Sequence, residues 1–95
     1  TTTISAGTVL GANTTCLNLT RHMEYGMGDG YLEGEASLLQ NFLKKQGVYN
    51  DEITGYFGRV TEQAVKDFQS AHGITPSGIV GLGTRTFINN YSCGL

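Results

Sequence analysis

Several features are missing from this 95-residue sequence, and each absence narrows the range of functions. No run of about 20 apolar residues occurs, so no membrane-spanning helix is predicted. Charged residues are few and the net charge is −2, which argues against a basic surface for nucleic acid or an anionic membrane. No signal peptide is recognisable, and because the chain opens on Thr1 instead of Met, we expect that a leader has been removed. A chain of this length supports one small domain.

Recognisable catalytic and metal-binding motifs are also missing. The two histidines, His22 and His72, belong to no H-E-x-x-H motif, and no serine or cysteine lies in a recognisable nucleophile motif. Neither cysteine has a partner at metal-ligand spacing. We therefore predict a protein without catalytic activity, metal or cofactor. His72 is expected at the surface in the last turn of a helix, where a cation suits the helix dipole.

The most informative feature that is present is a fifteen-residue pattern that occurs twice, 23 positions apart. Residues 54–68 read TGYFGRVTEQAVKDF, and residues 77–91 read SGIVGLGTRTFINNY. The coinciding pairs are Gly55 with Gly78, Gly58 with Gly81, and Thr61 with Thr84. Each copy predicts a turn, an apolar residue that points inward, and a threonine that caps a short amphipathic helix. With one more helix before them, the two copies predict a compact all-α fold.

Apolar periodicity places three helices. The first is expected to begin at Ser37 as its N-cap and to end at Gly47. The second begins near Thr61 and ends at Gly73, and the third spans about 84–91. Both terminal glycines precede an apolar residue, which predicts left-handed C-caps. The residues expected to be buried are Leu38, Leu39, Phe42, Leu43, Ala64, Val65, Phe68, Ala71, Phe87, Ile88 and Tyr91.

The two cysteines, Cys16 and Cys93, lie near the two ends of the patterned part of the chain. Two interpretations are open: a pair of buried thiols, or a disulfide that closes a long loop. In the chain-entropy model such a loop stabilises by roughly 4 kcal/mol, a large share for a small core. A disulfide would point to a protein outside the cytoplasm.

Three segments closely resemble the peptidoglycan-binding domain of bacterial wall proteins: LLQNFLKKQGVY, TGYFGRVTEQAVKDFQSAHGI and SGIVGLGTRTFIN. That family combines L-Q-x-x-L on a first helix with T-G-x-F-G-x-x-T-x-x-A-V-x-x-F-Q and then T-G-x-V-G-x-x-T. The matching residues are Leu39, Gln40, Leu43, Thr54, Gly55, Phe57, Gly58, Thr61, Ala64, Val65, Phe68, Gln69, Gly73, Ile74, Gly78, Val80, Gly81 and Thr84. The resemblance extends over about residues 37–90. It implies an all-α, three-helix module within a domain of residues 16–93. Residues 1–15 have no helical periodicity, so we expect an extended tail there, with a short strand at Thr8 to Leu10.

The resemblance also implies a function. Wall hydrolases that carry such modules normally keep catalysis in a separate domain, so we expect a secreted, non-catalytic module that binds the cell wall, in an extracellular or wall-associated place. Because Cys16 and Cys93 flank the helical module and the chain looks secreted, we predict that they are bonded.

The chain departs from the family before the first helix. Residues 22–36 are longer and richer in glycine and acid than the usual turn. The acidic residues are Glu24, Asp29, Glu33 and Glu35. Their spacing fits no EF-hand, so we interpret the segment as an inserted, solvated loop and not as a calcium site.

The family's ligand surface, as the resemblance implies, lies near the loop between the first two helices and the start of the second. The residues predicted to bind a peptidoglycan stem peptide or glycan there are Tyr49, Tyr56, Arg59 and Thr61. A helix N-terminus and an arginine suit a carboxylate, and tyrosines give flat walls. In the competing interpretation Tyr56 packs inward and Arg59 is merely solvated. Gln40 and Gln69 are expected to tie loops by hydrogen bonds.

A second function belongs to a different class. A small domain with a threonine-rich extended tail suits a structural subunit of an extracellular layer or filament. In that case residues 1–15 would mediate self-association by contacting a neighbouring subunit.

Overall fold

A computed structural model of the protein describes residues 16–94, which contain four helices and two isolated β-bridges. The helices are α1 (Asp29–Leu32), α2 (Glu35–Lys45), α3 (Arg59–Ala71) and α4 (Leu82–Ser92). The all-α prediction is confirmed, but the number of helices is not three, because α1 lies in the segment predicted as a loop. The tail, its short strand and the proposed self-association lie outside the described residues.

The core forms where α2, α3, α4 and the segments between them meet. Its fully or nearly fully buried apolar residues are Leu19, Met23, Leu32, Ala36, Leu39, Phe42, Leu43, Tyr49, Phe57, Ala64, Val65, Phe68, Val80 and Ile88. Three of the residues predicted to be buried, Leu38, Ala71 and Tyr91, are exposed instead. On α2 the inward stripe follows Ala36, Leu39 and Leu43, which turns Leu38 towards solvent.

All three long helices begin in the same way, with a glycine as the N-cap and a hydroxyl residue three positions later. Gly34, Gly58 and Gly81 are the N-caps, and within the described part of the chain none of these helices has a side-chain cap hydrogen bond. The predictions that Ser37 and Thr61 are N-caps are therefore wrong. Their hydroxyls contact other parts of the fold instead, Ser37 at Asp29 and Thr61 at Gln40.

Gln40, fully buried on α2, holds the first turn of the repeated pattern. Its Oε1 accepts hydrogen bonds from the backbone N–H groups of Thr54 and Gly55, both at 3.0 Å. Its Nε2 donates to the Tyr56 carbonyl oxygen and to the Thr61 hydroxyl, both at 2.9 Å. The side-chain amide of Gln40 thereby links α2 to the turn at residues 54–56 and to the first helical turn of α3.

Gln69, fully buried on α3, repeats this arrangement for the second turn. Its Oε1 accepts from the Gly78 N–H at 2.9 Å, and its Nε2 donates to the Ile79 carbonyl at 3.1 Å and the Thr84 hydroxyl at 3.2 Å. The prediction that both glutamines tie loops is confirmed. The internal repeat of the sequence thus corresponds to a repeated set of hydrogen bonds. In each set, a buried glutamine on one helix binds the turn that precedes the next helix.

Residues 23–29, which we call the strap, connect the two turns. Met23 and Val80 exchange backbone hydrogen bonds of 3.2 and 2.8 Å, and the Phe57 N–H donates to the Met27 carbonyl at 2.7 Å. Met23, Val80 and Phe57 are fully buried. The interpretation of residues 22–36 as a solvated loop is therefore wrong, because the strap satisfies backbone groups that the turns would otherwise leave unpaired.

The C-termini of α2 and α3 follow the predicted pattern. Gly47 and Gly73 have φ of +83° and +73°, which confirms both left-handed C-caps. The next N–H reaches back to the carbonyl of the third-last helical residue, Val48 to Leu43 at 3.1 Å and Ile74 to Gln69 at 2.8 Å. This 6→1 bond defines the Schellman motif.

Residues 16–21, which we call the entering segment, are bound to the C-terminal part of α4 and to α2. Cys16 and Cys93 form a disulfide across 77 positions of sequence, as predicted. Asn89 on α4 binds the backbone of Leu19 through both ends of its amide, at 2.8 and 3.2 Å. The Glu35 carboxylate accepts hydrogen bonds from the Thr20 N–H, the Thr20 hydroxyl and the Arg21 N–H at 2.7–2.9 Å.

Candidate binding surface

A groove of about 440 Å³ lies between the loop after α2 and the first three turns of α3; we call it the α3 groove. Its lining residues are Val48, Asn50, Asp51, Arg59, Val60, Gln63, Ala64 and Asp67. This is the region in which the sequence predicted a ligand surface. Five of these eight residues are polar or charged, and Val48, Val60 and Ala64 supply apolar contact.

Arg59, the first residue of α3, stands at this groove with a largely exposed side chain, 70% accessible. Its guanidinium carbon lies 3.6 Å from the centre of the Tyr25 ring, and its Nη1 donates to the Glu62 carboxylate at 3.1 Å. That hydrogen bond is the main reason why the pKa of Arg59 is raised above its usual value. The side chain is thus oriented from two sides, and it keeps further N–H donors for a ligand.

The N-terminus of α3 adds backbone donors beside Arg59. The N-cap, Gly58, has no side chain and no cap hydrogen bond is formed, so the first N–H groups of the helix have no side-chain partner among residues 16–94. Such a terminus carries a partial positive charge. Arg59 is the first residue after this N-cap, and both the guanidinium and the helix terminus suit a carboxylate, while the Glu62 carboxylate offsets part of the Arg59 charge.

Negatively charged side chains line another part of the same groove. Asp51, on the loop, and Asp67, two turns along α3 from Arg59, both line it with exposed carboxylates. Asp67 accepts a hydrogen bond from Gln63 at 3.0 Å, which fixes its position on the helix surface. The groove therefore presents positive charge near the start of α3 and negative charge farther along it.

Two of the four predicted ligand-binding residues are inside the protein. Tyr49 is 2% exposed, and its hydroxyl donates to the Glu52 carbonyl. Thr61 is 2% exposed and accepts the hydrogen bond from Gln40. Neither side chain presents a surface to a ligand. Tyrosine and threonine side chains occur both in protein cores and at ligand-binding surfaces. The sequence could therefore not separate these two roles for Tyr49 and Thr61.

The other two predicted residues are accessible. Tyr56 is exposed at the turn before α3, which argues against the interpretation that it packs inward. The ring lies next to Gly58, where an added Cβ would meet it at 3.4 Å. Tyr56 therefore stands beside the N-terminus of α3, close in sequence to Arg59, although it does not line the α3 groove itself.

Sequence reasoning missed two residues that orient Arg59. Glu62 is three positions away on the same helix, a spacing at which opposite charges meet, so this pair was available from the sequence. Tyr25 comes from the strap, 34 positions earlier, and no local pattern indicated that it would reach the start of α3.

His72 also differs from its predicted role. It is the C-cap residue of α3, but its ring packs among aromatic side chains instead of standing free in solvent. Its centroid lies 4.4 Å from that of Phe68, 5.0 Å from Tyr91 and 5.3 Å from Phe87.

Two features are absent from residues 16–94. No group of three or more His, Cys, Asp or Glu side chains is placed to hold a metal ion. No helix in that range is long and apolar enough to cross a membrane.

Comparison with known proteins identifies the family. Residues 33–88 match the family model described as putative peptidoglycan binding domain. The chain is 41% identical over 51 residues to N-acetylmuramoyl-L-alanine amidase CwlL of Bacillus licheniformis, a match that takes in 54% of this chain and 14% of the amidase. The crystal structure of the SleB N-terminal domain has the same fold, with a TM-score of 0.68 over 82% of this chain and 99% of that domain at 24% identity. Since the family model covers more than half of the sequence, this chain belongs to the putative peptidoglycan binding domain family.

Proposed function

We propose that this chain is a non-catalytic module of a secreted bacterial protein and that its α3 groove binds the stem peptide of peptidoglycan. The observation that carries the proposal is the position of Arg59, which is held by Tyr25 and Glu62 at the open N-terminus of α3. The disulfide supports secretion, because such bonds persist in oxidising compartments.

A stem peptide offers carboxylates, amides and the side-chain amine of its diamino acid. A carboxylate fits the start of α3, where Arg59 directly follows the N-cap and the first N–H groups of the helix have no side-chain cap. An ammonium group fits the other part, near Asp51 and Asp67. The two kinds of charge on the ligand therefore favour one direction of the peptide along α3.

Binding without hydrolysis is supported by the comparisons. The matching family is described by binding, and the chain corresponds to 14% of the length of the amidase relative. So short a match gives no reason to assign the amidase's activity to this chain.

The test is a pull-down of purified protein with peptidoglycan sacculi. Arg59→Ala should weaken binding about tenfold, because it removes a charge-assisted hydrogen bond to the ligand carboxylate. Arg59→Lys should recover only part of the affinity, since an ammonium group lacks the planar fork of a guanidinium.

Lys66→Ala is the matched control, because it removes the same charge from the same helix outside the lining of the α3 groove. It should bind sacculi as the unaltered protein does. Equal binding by the Arg59 and Lys66 variants would refute the proposed role of Arg59.

A further inference from the structure

A second groove, of about 350 Å³, lies between α2, α4 and the entering segment; we call it the α2–α4 groove. Its lining residues are Cys16, Leu17, Leu38, Asn41, Phe42, Lys45, Gln46, Tyr91 and Ser92. It shares no lining residue with the α3 groove. We infer that this groove is a saccharide subsite, which takes a short stretch of N-acetylated glycan. The inference rests on the proposed function, because it assigns the sugar part of the same polymer to a separate site.

The first argument is the aromatic surface of the groove. Tyr91 is 41% exposed, yet its ring is supported from behind by other rings. It stacks on Phe87 at 5.9 Å with an interplanar angle of 15°, and it meets Phe42 edge-to-face at 6.2 Å. A ring held in this way loses little conformational freedom on binding. The C–H face of a pyranose packs against such a ring.

The second argument is the polar part of the lining. Asn41 and Gln46 each present an amide, which both donates and accepts hydrogen bonds. Sugar hydroxyls and N-acetyl groups need partners of both kinds. Among residues 16–94, Lys45 supplies the single charged side chain of the lining, and no carboxylate from that range lines the groove. The α3 groove, with two aspartates and an arginine, has the charges that a peptide needs, whereas this groove does not.

The third argument is size. A volume of about 350 Å³ lies at the low end of the range for small-ligand pockets, roughly 300–1,000 Å³. It accommodates a few sugar rings but no folded partner. The lysine gives the site a preference within saccharides, because a muramic acid residue without its stem peptide carries a lactyl carboxylate, whereas N-acetylglucosamine carries no charge.

The experiment is an NMR titration of the isotopically labelled protein with soluble chito-oligosaccharide, which contains N-acetylglucosamine and no peptide. We expect it to shift the side-chain amide signals of Asn41 and Gln46 and the ring signals of Tyr91. Tyr91→Ala should lower the affinity about tenfold, whereas Tyr91→Phe keeps the stacking surface and should stay within about twofold. Tyr31→Ala, which removes an exposed tyrosine on α1, is the matched control.

Asn41→Ala provides a second variant in case Tyr91→Ala disturbs the aromatic core. Asn41 is exposed on α2, so its replacement leaves the packing intact and should still weaken chito-oligosaccharide binding. If saturating chito-oligosaccharide produces no shifts at the α2–α4 groove, or if a free stem peptide produces them instead, the saccharide assignment is wrong.

Lys45→Ala tests the charge preference. It should weaken binding of peptide-free glycan strands, which are anionic, and leave neutral chito-oligosaccharide unaffected. Lys44→Ala is the matched control, because Lys44 is adjacent in sequence but its ammonium donates to the Asp51 carbonyl at 3.1 Å, outside the α2–α4 groove. An equal loss for both saccharides would overturn the role of Lys45.

The two proposals fail separately. Arg59→Ala should leave chito-oligosaccharide affinity unchanged, and Tyr91→Ala should leave the affinity for free stem peptide unchanged. Loss of both affinities in one variant would contradict the assignment of sugar and peptide to separate grooves.

Discussion

Replacing Gln40 with leucine tests whether the repeated turns depend on their buried amides. Leucine fits a similar volume but offers no hydrogen bonds. The Thr54 N–H and the Tyr56 carbonyl belong to exposed residues and can turn to water. The Gly55 N–H and the Thr61 hydroxyl are buried and would lose this partner.

The magnitude follows from these two buried groups. Each costs about 1–3 kcal/mol when unsatisfied. The buried leucine returns about 1–2 kcal/mol of hydrophobic free energy, so at the middle of both ranges Gln40→Leu should lower the free energy of unfolding by about 2.5 kcal/mol. That is a large fraction of the 5–15 kcal/mol typical of folded domains.

The assay is urea unfolding followed by far-UV circular dichroism, with the disulfide intact. Gln63→Leu is the matched control, because Gln63 is exposed on α3 and should change stability by no more than about 0.5 kcal/mol. If both variants unfold at the same urea concentration as the unaltered protein, the amide does not hold the turn.

Three further predictions concern other interactions that stabilise the fold. Gly73→Ala should destabilise by about 1 kcal/mol from backbone strain alone, since an added Cβ has nothing within 4 Å, and unchanged thermal stability would disprove this. Non-reducing mass spectrometry should show the two-hydrogen deficit of the Cys16–Cys93 disulfide, and replacing both by serine should cost about 4 kcal/mol in the chain-entropy model. Burial of Glu35 disfavours its charge, but the Thr20 hydroxyl and neighbouring N–H groups outweigh this and lower its pKa below 4.5. Its stabilising contribution is therefore present above about pH 4.5 and lost as the pH falls through the lowered pKa, so the stability difference from Glu35→Gln should shrink in acid.

The sequence predicted the features that depend on local pattern. The C-caps at Gly47 and Gly73 followed from a glycine before an apolar residue, and the structure confirms both. The helix starts were wrong, because a hydroxyl residue near a helix start reads as an N-cap from local sequence. Thr61 instead bonds Gln40, 21 positions away, and nothing in the neighbouring residues indicates that contact.

The strap shows that contacts between residues far apart in the sequence were likewise not predicted. Its glycines and acidic residues are typical of a solvated loop, and local composition contains no sign of the turn backbones that it pairs with. Met23 pairs with Val80, 57 positions later. For the proposed binding surface, the sequence indicated Arg59 at the start of α3, but it could not show that Tyr25 on the strap orients the guanidinium.

The two amide-held turns separate the residues that fold the protein from those that face outward. Gln40 and Gln69 bind backbone atoms at positions 55–56 and 78–79, so the side chains of Tyr56 and Ile79 play no part in that bonding. Tyr56 on the first turn corresponds by the repeat to Ile79 on the second, and Arg59 corresponds to Leu82, which is exposed. The second turn is therefore open to substitution, because exposed Ile79 and Leu82 can be replaced at little cost in stability.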